Sequence, residues 1–347
     1  NISTKINENC ILRPINFIIM KSLLKIVLVV GLFTSLFSCQ KDDGVSLQED
    51  RPYDEVYAED IAEIEEFLHT HYVTYDADYN TTFTQIPDGG TQTPIWDMPE
   101  LDFKEVDKHD ITYKVYYLNF REGVGENITR VDSSFVSYKG FAFNKTTTDG
   151  VDTFTQNVFD EKQSPIWLSL DEVITGWAYI MPLFKTGTFT PMADGSISYN
   201  DFGTGVMFLP SGLAYFSSGT LTIPSYAPLV FSFKLHNLRR RDHDQDGILS
   251  MYEYGPDFDE DPIDTDEDGR PDYIDVDDDA DGVLTKVERS FTYLDGAETK
   301  TGYYPYNGAL IDDPSTPYDD TRGIPSCSND FTSPTRLRRH LDPSCRN

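Results

Sequence analysis

Three short stretches between Asp242 and Glu288 repeat the pattern D-x-D-x-D-G, each with further oxygen-bearing residues at fixed spacing. In the first, Asp242, Asp244, Asp246, Ser250 and Glu253 hold positions 1, 3, 5, 9 and 12 of a twelve-residue loop, with Gly247 at the turn and the Ile248 carbonyl at position 7. In the third, Asp277, Asp279, Asp281, Thr285 and Glu288 do the same around Gly282 and the Val283 carbonyl. Between them, Asp264, Asp266, Asp268, Asp272 and Asp275 surround Gly269 and the Arg270 carbonyl. Hard oxygen ligands at alternate positions, with glycine where the chain turns sharply, suit a hard divalent cation of calcium's size. The expected cofactor is therefore Ca²⁺ in a structural role, and no C-x-x-C or zinc-type cluster competes with that expectation.

The first and third loops fit the EF-hand template, but the array departs from it. Asp264 and Asp277, the first ligands of successive copies, are thirteen residues apart, so no helix fits between Asp275 and Asp277. Pro271 also removes a backbone donor that a paired EF-hand loop uses. The segment more closely resembles thrombospondin type 3 repeats, in which chain wraps bound ions. Net charge is −31, and Asp242–Glu288 alone, with nineteen Asp/Glu against two Lys/Arg, carries −17 of it. The acidity is local, and it excludes nucleic acid as a partner. Without cations these carboxylates repel and the segment is expected to be disordered; with them it becomes a stiff connector. Arg239–Arg241 just before the first loop reads either as a partner of those carboxylates or as solvated linker.

The elements that carry the rest of the chain are legible from periodicity. Ala58–His71 places Ile61, Ile64, Phe67 and Leu68 at helical spacing. Asp76–Glu100, rich in Thr, Pro, Asp and Gly, reads as loop. Ile111, Tyr113, Val115 and Tyr117 alternate along a strand. Val131–Phe143, Gly205–Leu209 and Leu229–Leu235 are further strands, with a turn expected near Asp149-Gly150 and a short helix over Leu170–Tyr179. Residues 110–237 thus form an α+β unit, an antiparallel β-sheet with one short helix.

Within that unit six motifs fall in order. They are Val136-Ser137-Tyr138-Lys139-Gly140, Val158-Phe159-Asp160, Pro165-Ile166-Trp167-Leu168, Glu172-Val173-Ile174-Thr175-Gly176-Trp177, Leu209-Pro210-Ser211-Gly212-Leu213-Ala214-Tyr215, and the stretch from Ile223-Pro224 to Leu229-Val230-Phe231. Their order and spacing resemble FKBP-type peptidyl-prolyl isomerases, in particular lipid-anchored FKBP-like proteins associated with bacterial gliding motility. The resemblance implies an FKBP-like sheet wrapped on the short helix. It implies a pocket lined by Tyr138, Phe159, Asp160, Val173, Ile174, Trp177, Tyr215 and Phe231, with Trp177 as floor. The Ile174 N–H and Tyr215 hydroxyl would meet a substrate carbonyl. Ile166 and Leu168 stand where the family has a pair of aromatics, so one wall is aliphatic. The residues Lys185–Gly205 look longer than in small family members, enough to cover or extend the pocket. Isomerising an X–Pro bond means passing a barrier of roughly 18–20 kcal/mol set by amide resonance. A site that prefers the twisted amide lowers that barrier with no nucleophile and no cofactor. The implied partners are proline-containing segments of exported proteins.

Residues 1–19 lack an initiator Met and read as a doubtful upstream leader. From Met20 the chain reads as a lipoprotein signal peptide, residues 20–38: Lys21 and Lys25, an apolar run too short to span a bilayer, then Leu36-Phe37-Ser38-Cys39, which resembles a lipobox with Cys39 as the acylated residue. Gln40-Lys41-Asp42-Asp43 resembles the acidic export tag that carries lipoproteins to the surface of some Gram-negative gliding bacteria. The expected location is the outer membrane, facing the cell surface or otherwise the periplasm, with the lipid anchor as the only membrane contact. Cys327 and Cys345 remain as a candidate disulfide worth about 3 kcal/mol in an oxidising exterior. The organisation expected is a tether over residues 39–57, a helix and loop over 58–109, the FKBP-like domain at 110–237, the repeats at 238–290 and a C-terminal tail at 291–347.

Overall fold

A computed structural model describes residues 50–148 and 151–346. The leader, the signal, Cys39, most of the tether and the turn at Asp149-Gly150 lie outside the described residues. In chain order the elements are α1 (Tyr53–Thr70), β1 (His71–Tyr75), β2 (Thr81–Gln85), β3 (Leu101–Lys108), β4 (Ile111–Arg121), β5 (Ser133–Thr148), β6 (Val151–Ser169), α2 (Thr175–Ile180), β7 (Thr188–Pro191), β8 (Ile197–Asn200), β9 (Gly203–Leu209), β10 (Leu229–Arg239), α3 (Ser250–Glu253), α4 (Thr285–Glu288), β11 (Ser290–Asp295) and β12 (Glu298–Tyr303). Six strands build one antiparallel sheet in the order β3-β4-β9-β10-β5-β6, and three two-stranded hairpins accompany it.

The central strands are apolar on both faces, and both faces are covered. Along β10, Leu229, Phe231, Phe233 and Leu235 enter a core shared with Trp177 and Ile180 of α2. Val230, on the opposite face, enters a second core with Ile64, Phe67 and Leu68 of α1. The same alternation holds on β4, with Tyr113 and Val115 on the α2 side and Tyr116 and Leu118 on the α1 side. It holds again on β9, with Met207 and Leu209 opposed to Val206 and Phe208. A period of two along each strand sends successive side chains to opposite faces, so two-sided burial needs apolar residues at nearly every position. Phe67 is the hub of the α1 side: its ring stacks on Phe143 at 5.0 Å and on His71 at 4.0 Å, and meets Phe154 edge-on at 5.6 Å. An antiparallel sheet with a short helix across one face is consistent with an FKBP-like fold.

Several elements differ from the sequence-based expectation. The sheet begins at β3, before residue 110, because Leu101–Lys108 pairs along its whole length with β4. The stretch expected as loop over 76–100 contains β2, which pairs with β1. The helix expected over Leu170–Tyr179 starts only at Thr175, because residues 170–174 form a turn that ends in extended Ile174 (φ −58°, ψ 143°). The residues Lys185–Gly205 hold the β7–β8 hairpin, whose Tyr199 packs on Phe135 and His236. The tail contains the β11–β12 hairpin and a disulfide joining Cys327 to Cys345, with Cα atoms 5.4 Å apart.

From Arg51 onward the chain is one compact unit, and the acidic segment is docked on the body rather than projecting as a connector. Arg130 lies over the Tyr179 ring at 3.8 Å and donates to the Phe258 carbonyl. Lys104 pairs with Asp259 at 2.6 Å. Of the arginine run, Arg240 pairs with buried Asp132 at 2.6 Å and Arg239 lies over Trp167, so both serve the body and not the loop carboxylates.

Asp60 ties α1 to the other face of the sheet. Its Oδ2 accepts the Ser211 N–H and hydroxyl, each at 2.7 Å. Burial pushes this carboxyl up to about 7 despite those bonds. A raised folded value means that the contribution to stability is full below pH ~4 and is lost as pH rises towards 7, at about 1.4 kcal/mol for each pH step of one across that window. The difference in urea unfolding free energy between the native chain and Asp60→Asn, followed from pH 4 to 8, should therefore move in the variant's favour by a few kcal/mol. A difference that stays flat across that window would show that Asp60 does not titrate in it.

Candidate functional site

A hollow of about 360 Å³ opens beside α2, lined by Tyr138, Phe159, Asp160, Leu168, Glu172, Val173, Ile174, Trp177, Tyr215 and Phe231. These residues come from β5, β6, the turn before α2, α2 itself, the loop after β9, and β10. Trp177 (3% exposed) and Phe231 (4% exposed) form the floor, their rings perpendicular at 5.3 Å. Tyr138 stands edge-on to Trp177 at 5.2 Å, and Phe159 edge-on to Phe231 at 5.4 Å. Edge-to-face packing fixes each ring against its neighbour and leaves an apolar cup. Two register shifts in the β5–β6 pairing, between Val136 and Tyr138 and between Gly140 and Phe141, bracket the strand that supplies Tyr138. Such irregularities bend a strand and re-aim its side chains.

The rim is polar. Tyr138 donates its hydroxyl to Asp160 at 2.5 Å, and Lys162 pairs with the other carboxylate oxygen. Burial raises the Asp160 carboxyl, but the bonds from Lys162 and Tyr138 outweigh it and hold the group below the usual carboxylate range. Burial, then the bond to Asp160, pushes the Tyr138 hydroxyl well up, so it stays a donor. The Ile174 N–H and the half-exposed Tyr215 hydroxyl have no hydrogen-bond partner among the described residues. Both are donors at the mouth of an apolar cup, able to receive a carbonyl.

Of the residues expected here, all but Ile166 converge. Ile166 pairs with Val136 on β6 but does not line the hollow, whereas Leu168 does. Glu172 lines it without having been singled out, although it sits in the motif that placed Val173 and Ile174. No residue of 185–205 borders the hollow, so that insertion neither covers nor extends it. A larger, polar hollow of about 480 Å³ between β5, β10 and the β1–β2 turn shares only Tyr138 with it. The larger one also has rings but is lined mainly by charged and polar side chains, whereas the smaller one is mainly apolar.

The three acidic loops share one backbone pattern. The N–H of Gly247, Gly269 and Gly282 reaches the first Asp of its loop, Asp242, Asp264 or Asp277. Those glycines have φ near +90° (97°, 94° and 90°), a region open to glycine and costly to other residues. In each loop the N–H at position 7, from Ile248, Arg270 or Val283, bonds the Asp at position 5, Asp246, Asp268 or Asp281. Ser250, Asp272 and Thr285 accept the N–H at position 2, which gives these expected ligands a loop-closing role as well.

Carboxylate oxygens of Asp242, Asp244 and Asp246 lie within 4.8 Å of one another, as do those of Asp264, Asp266 and Asp268 and those of Asp277, Asp279 and Asp281. With metal–oxygen distances of ~2.3–2.6 Å, that spread fits one Ca²⁺-sized ion per loop. Asp272, bonded to Thr265, and Asp275, bonded to the Asp277 N–H, belong to none of these groups. Both carboxylate oxygens of Glu253 and of Glu288 are buried with no partner among the described residues. Burial, reinforced by neighbouring carboxylates, pushes Glu253 up to about 10 and Asp244 and Glu288 up to about 8. Among the described residues no cationic side chain bonds the Glu253 or Glu288 carboxylate, and the oxygen-only donor set fits a hard divalent cation.

The BamM C-terminal family model matches residues 243–318, from the first acidic loop past the β11–β12 hairpin. No curated protein sequence matches the chain. Among solved structures the chain is similar to a peptidyl-prolyl cis-trans isomerase from Pseudomonas syringae pv. tomato, at 18% identity over 55% of this chain and 99% of that chain, TM-score 0.32. It is also similar to FkpA from Escherichia coli (18% identity, 65% and 74% coverage, TM-score 0.30). A third is the N-terminal domain of FKBP42 from Arabidopsis thaliana (18% identity, 40% and 92% coverage, TM-score 0.28).

Gly140 makes the cup possible. A Cβ there would stand 2.7 Å from both Phe159 and Phe231, closer than side chains approach. Gly140→Ala should displace those rings at a cost of about 1–3 kcal/mol. It should also weaken capture of a proline peptide, as read by Trp177 fluorescence. Unchanged stability together with unchanged peptide binding would mean that the two rings do not define the hollow.

Proposed function

We propose that this chain is a peptidyl-prolyl cis-trans isomerase that acts on exported or surface proteins as a folding helper. The observation that carries the reading is the convergence of Tyr138, Phe159, Trp177, Tyr215 and Phe231 on one apolar cup with two unpaired donors at its mouth. A proline ring enters over Trp177. The Ile174 N–H and the Tyr215 hydroxyl donate to carbonyl oxygens of the peptide and hold it while the X–Pro amide rotates. Conjugation is lost in the twisted state, so its nitrogen and carbonyl carry less charge separation than the planar amide. A dry aromatic wall therefore penalises the planar form more than the twisted one. No bond is made or broken, and this step needs no cofactor. Asp160, held ionised by Lys162 and Tyr138, supports the rim and keeps the Tyr138 ring in place.

The same proposal covers the acidic segment and the location. Ca²⁺ in the three loops would supply the charge that the buried carboxylates lack and lock the docked segment in its observed form. Cys39 and the residues after it support an outer-membrane lipoprotein anchored by acyl chains and facing the surface. The aliphatic Leu168 wall favours a second reading, a module that holds proline-containing chains without turnover.

In a protease-coupled assay on proline peptides, the full chain should isomerise faster than buffer, and Trp177→Ala should lower the rate constant by roughly tenfold, about 1.4 kcal/mol of transition-state stabilisation. A native chain no faster than buffer, yet still binding the peptide, would leave the holding module. Independently, millimolar calcium should raise the melting temperature and a chelator should reverse it, because ligand that binds only the folded form adds stability, ~2.7 kcal/mol at a hundredfold excess over Kd. A melting curve indifferent to both would remove calcium from the proposal.

A further inference from the structure

Asp278 belongs to none of the ligand positions that loop spacing assigns. It is the second residue of the third loop, 2% exposed, and neither carboxylate oxygen has a partner among the described residues. Its N–H faces the Thr285 hydroxyl at 3.3 Å, which fixes where the residue stands. From there one of its oxygens lies within 4.8 Å of oxygens from Asp244 and Glu253, both in the first loop. Glu253 is 5% exposed with both oxygens unpaired, and Asp244 has a buried unpaired oxygen. The first and third loops are held side by side by other contacts: Lys286 donates to the Gln245 carbonyl at 3.1 Å, and Arg289 to the Asp246 carbonyl at 2.7 Å. Those cations are spent on backbone oxygens. Three carboxylates from two loops therefore meet in a buried space with no cationic side chain bonded to them, an arrangement that is costly unless an ion sits among them.

We propose that Asp278 is a cation ligand lent by the third loop to the first, so that a hard divalent cation bound between Asp244, Glu253 and Asp278 staples the two loops together. The proposal rests on the reading of these loops as cation sites. The donors are all carboxylate oxygens, which selects the Ca²⁺ class over softer metals. Because Asp244 and Glu253 also belong to the first loop, filling this centre and filling that loop are coupled. A sequence reading loop by loop passes over Asp278, since the residue works across loops.

Calcium titration by calorimetry, together with thermal melting, of the full chain and of Asp278→Asn tests this. The variant keeps the shape and removes the charge. Metal-free, it should melt above the metal-free native chain, because the cost of burying that carboxyl beside Asp244 and Glu253 is gone. With calcium it should melt below the loaded native chain, and its affinity at one centre should fall about tenfold or more. Asp278→Ser should show the same loss of affinity. The double variant Glu253→Gln with Asp278→Asn should lose little more than Glu253→Gln alone, because both remove ligands of one ion. An Asp278→Asn chain that binds calcium like the native chain, or losses that simply add in the double variant, would overturn the staple while leaving the loops as cation sites. A native chain that takes up no calcium would overturn both.

Discussion

The structure depends on one constraint: β10 is buried on both faces. Its odd-numbered residues, Leu229 to Leu235, must be filled by α2 and the pocket aromatics, and Val230 on the other face must be covered by α1. Strands of this kind are stable only between two layers. The layer on the α1 side is supplied by the segment before residue 110, which is therefore part of the folding unit. Phe67 alone, fully buried among five other phenylalanine rings, contributes roughly 1.5–3 kcal/mol by removal from water, and Phe83 of β2 and Ile95 extend the cover beside it. Asp60 then reaches round to Ser211, so the helix that covers one face also fixes the 3-10 turn that leads into Tyr215 on the other.

How far the sequence revealed this follows from what periodicity can carry. The alternation Ile111, Tyr113, Val115, Tyr117 was readable, and those residues do share the α2 side. The signal for the second layer was also present, because Tyr116 and Leu118, Val206 and Phe208, and Val230 are apolar at the intervening positions. Read as one-sided strands, they gave no reason to bring α1 onto the sheet. Strand β2 was hidden by its Thr-rich composition, since Thr81–Gln85 resembles loop until β1 pairs with it. The pocket was more legible than the fold, because each motif held its spacing through its own element. Only Ile166 strayed: a residue's presence in a motif does not say whether its side chain turns into the hollow, and the bulges of β5–β6 decide that.

The acidic segment inverts this balance. Its spacing placed a glycine at each sharp turn, where φ is left-handed; Gln245, Glu267 and Ala280, the fourth residue of each loop, are left-handed as well, which the spacing did not announce. Spacing says nothing about neighbours across loops or about docking. Asp278 reads as one more carboxylate in an acidic run, and the arginines before the first loop read either as partners for it or as solvated linker. In the structure, arginines are instead the means of attachment. Arg130 lies on the Tyr179 ring of the body and donates to the Phe258 carbonyl of the acidic segment, while Arg240, just before the first loop, pairs with buried Asp132. A guanidinium can do this because it stacks on a ring and donates in its plane at the same time.

Attachment puts the two sites against a shared wall. The His243 ring lies between loop positions Asp242 and Asp244 in sequence, and its Nε2 stands 3.0 Å from Asp171, a close approach without hydrogen-bond alignment. Asp171 adjoins Glu172, Val173 and Ile174, which line the aromatic hollow. Tyr254, one residue beyond Glu253, lies 5.9 Å from Arg130, and Arg130 covers Tyr179 of α2, the helix that carries Trp177. The helix that carries the floor of the hollow and the end of the first acidic loop are thus linked through Tyr254, Arg130 and Tyr179. Packed interiors yield little to local displacement, so the placement of the acidic loops and the placement of α2 are a single geometric problem, solved by one set of contacts.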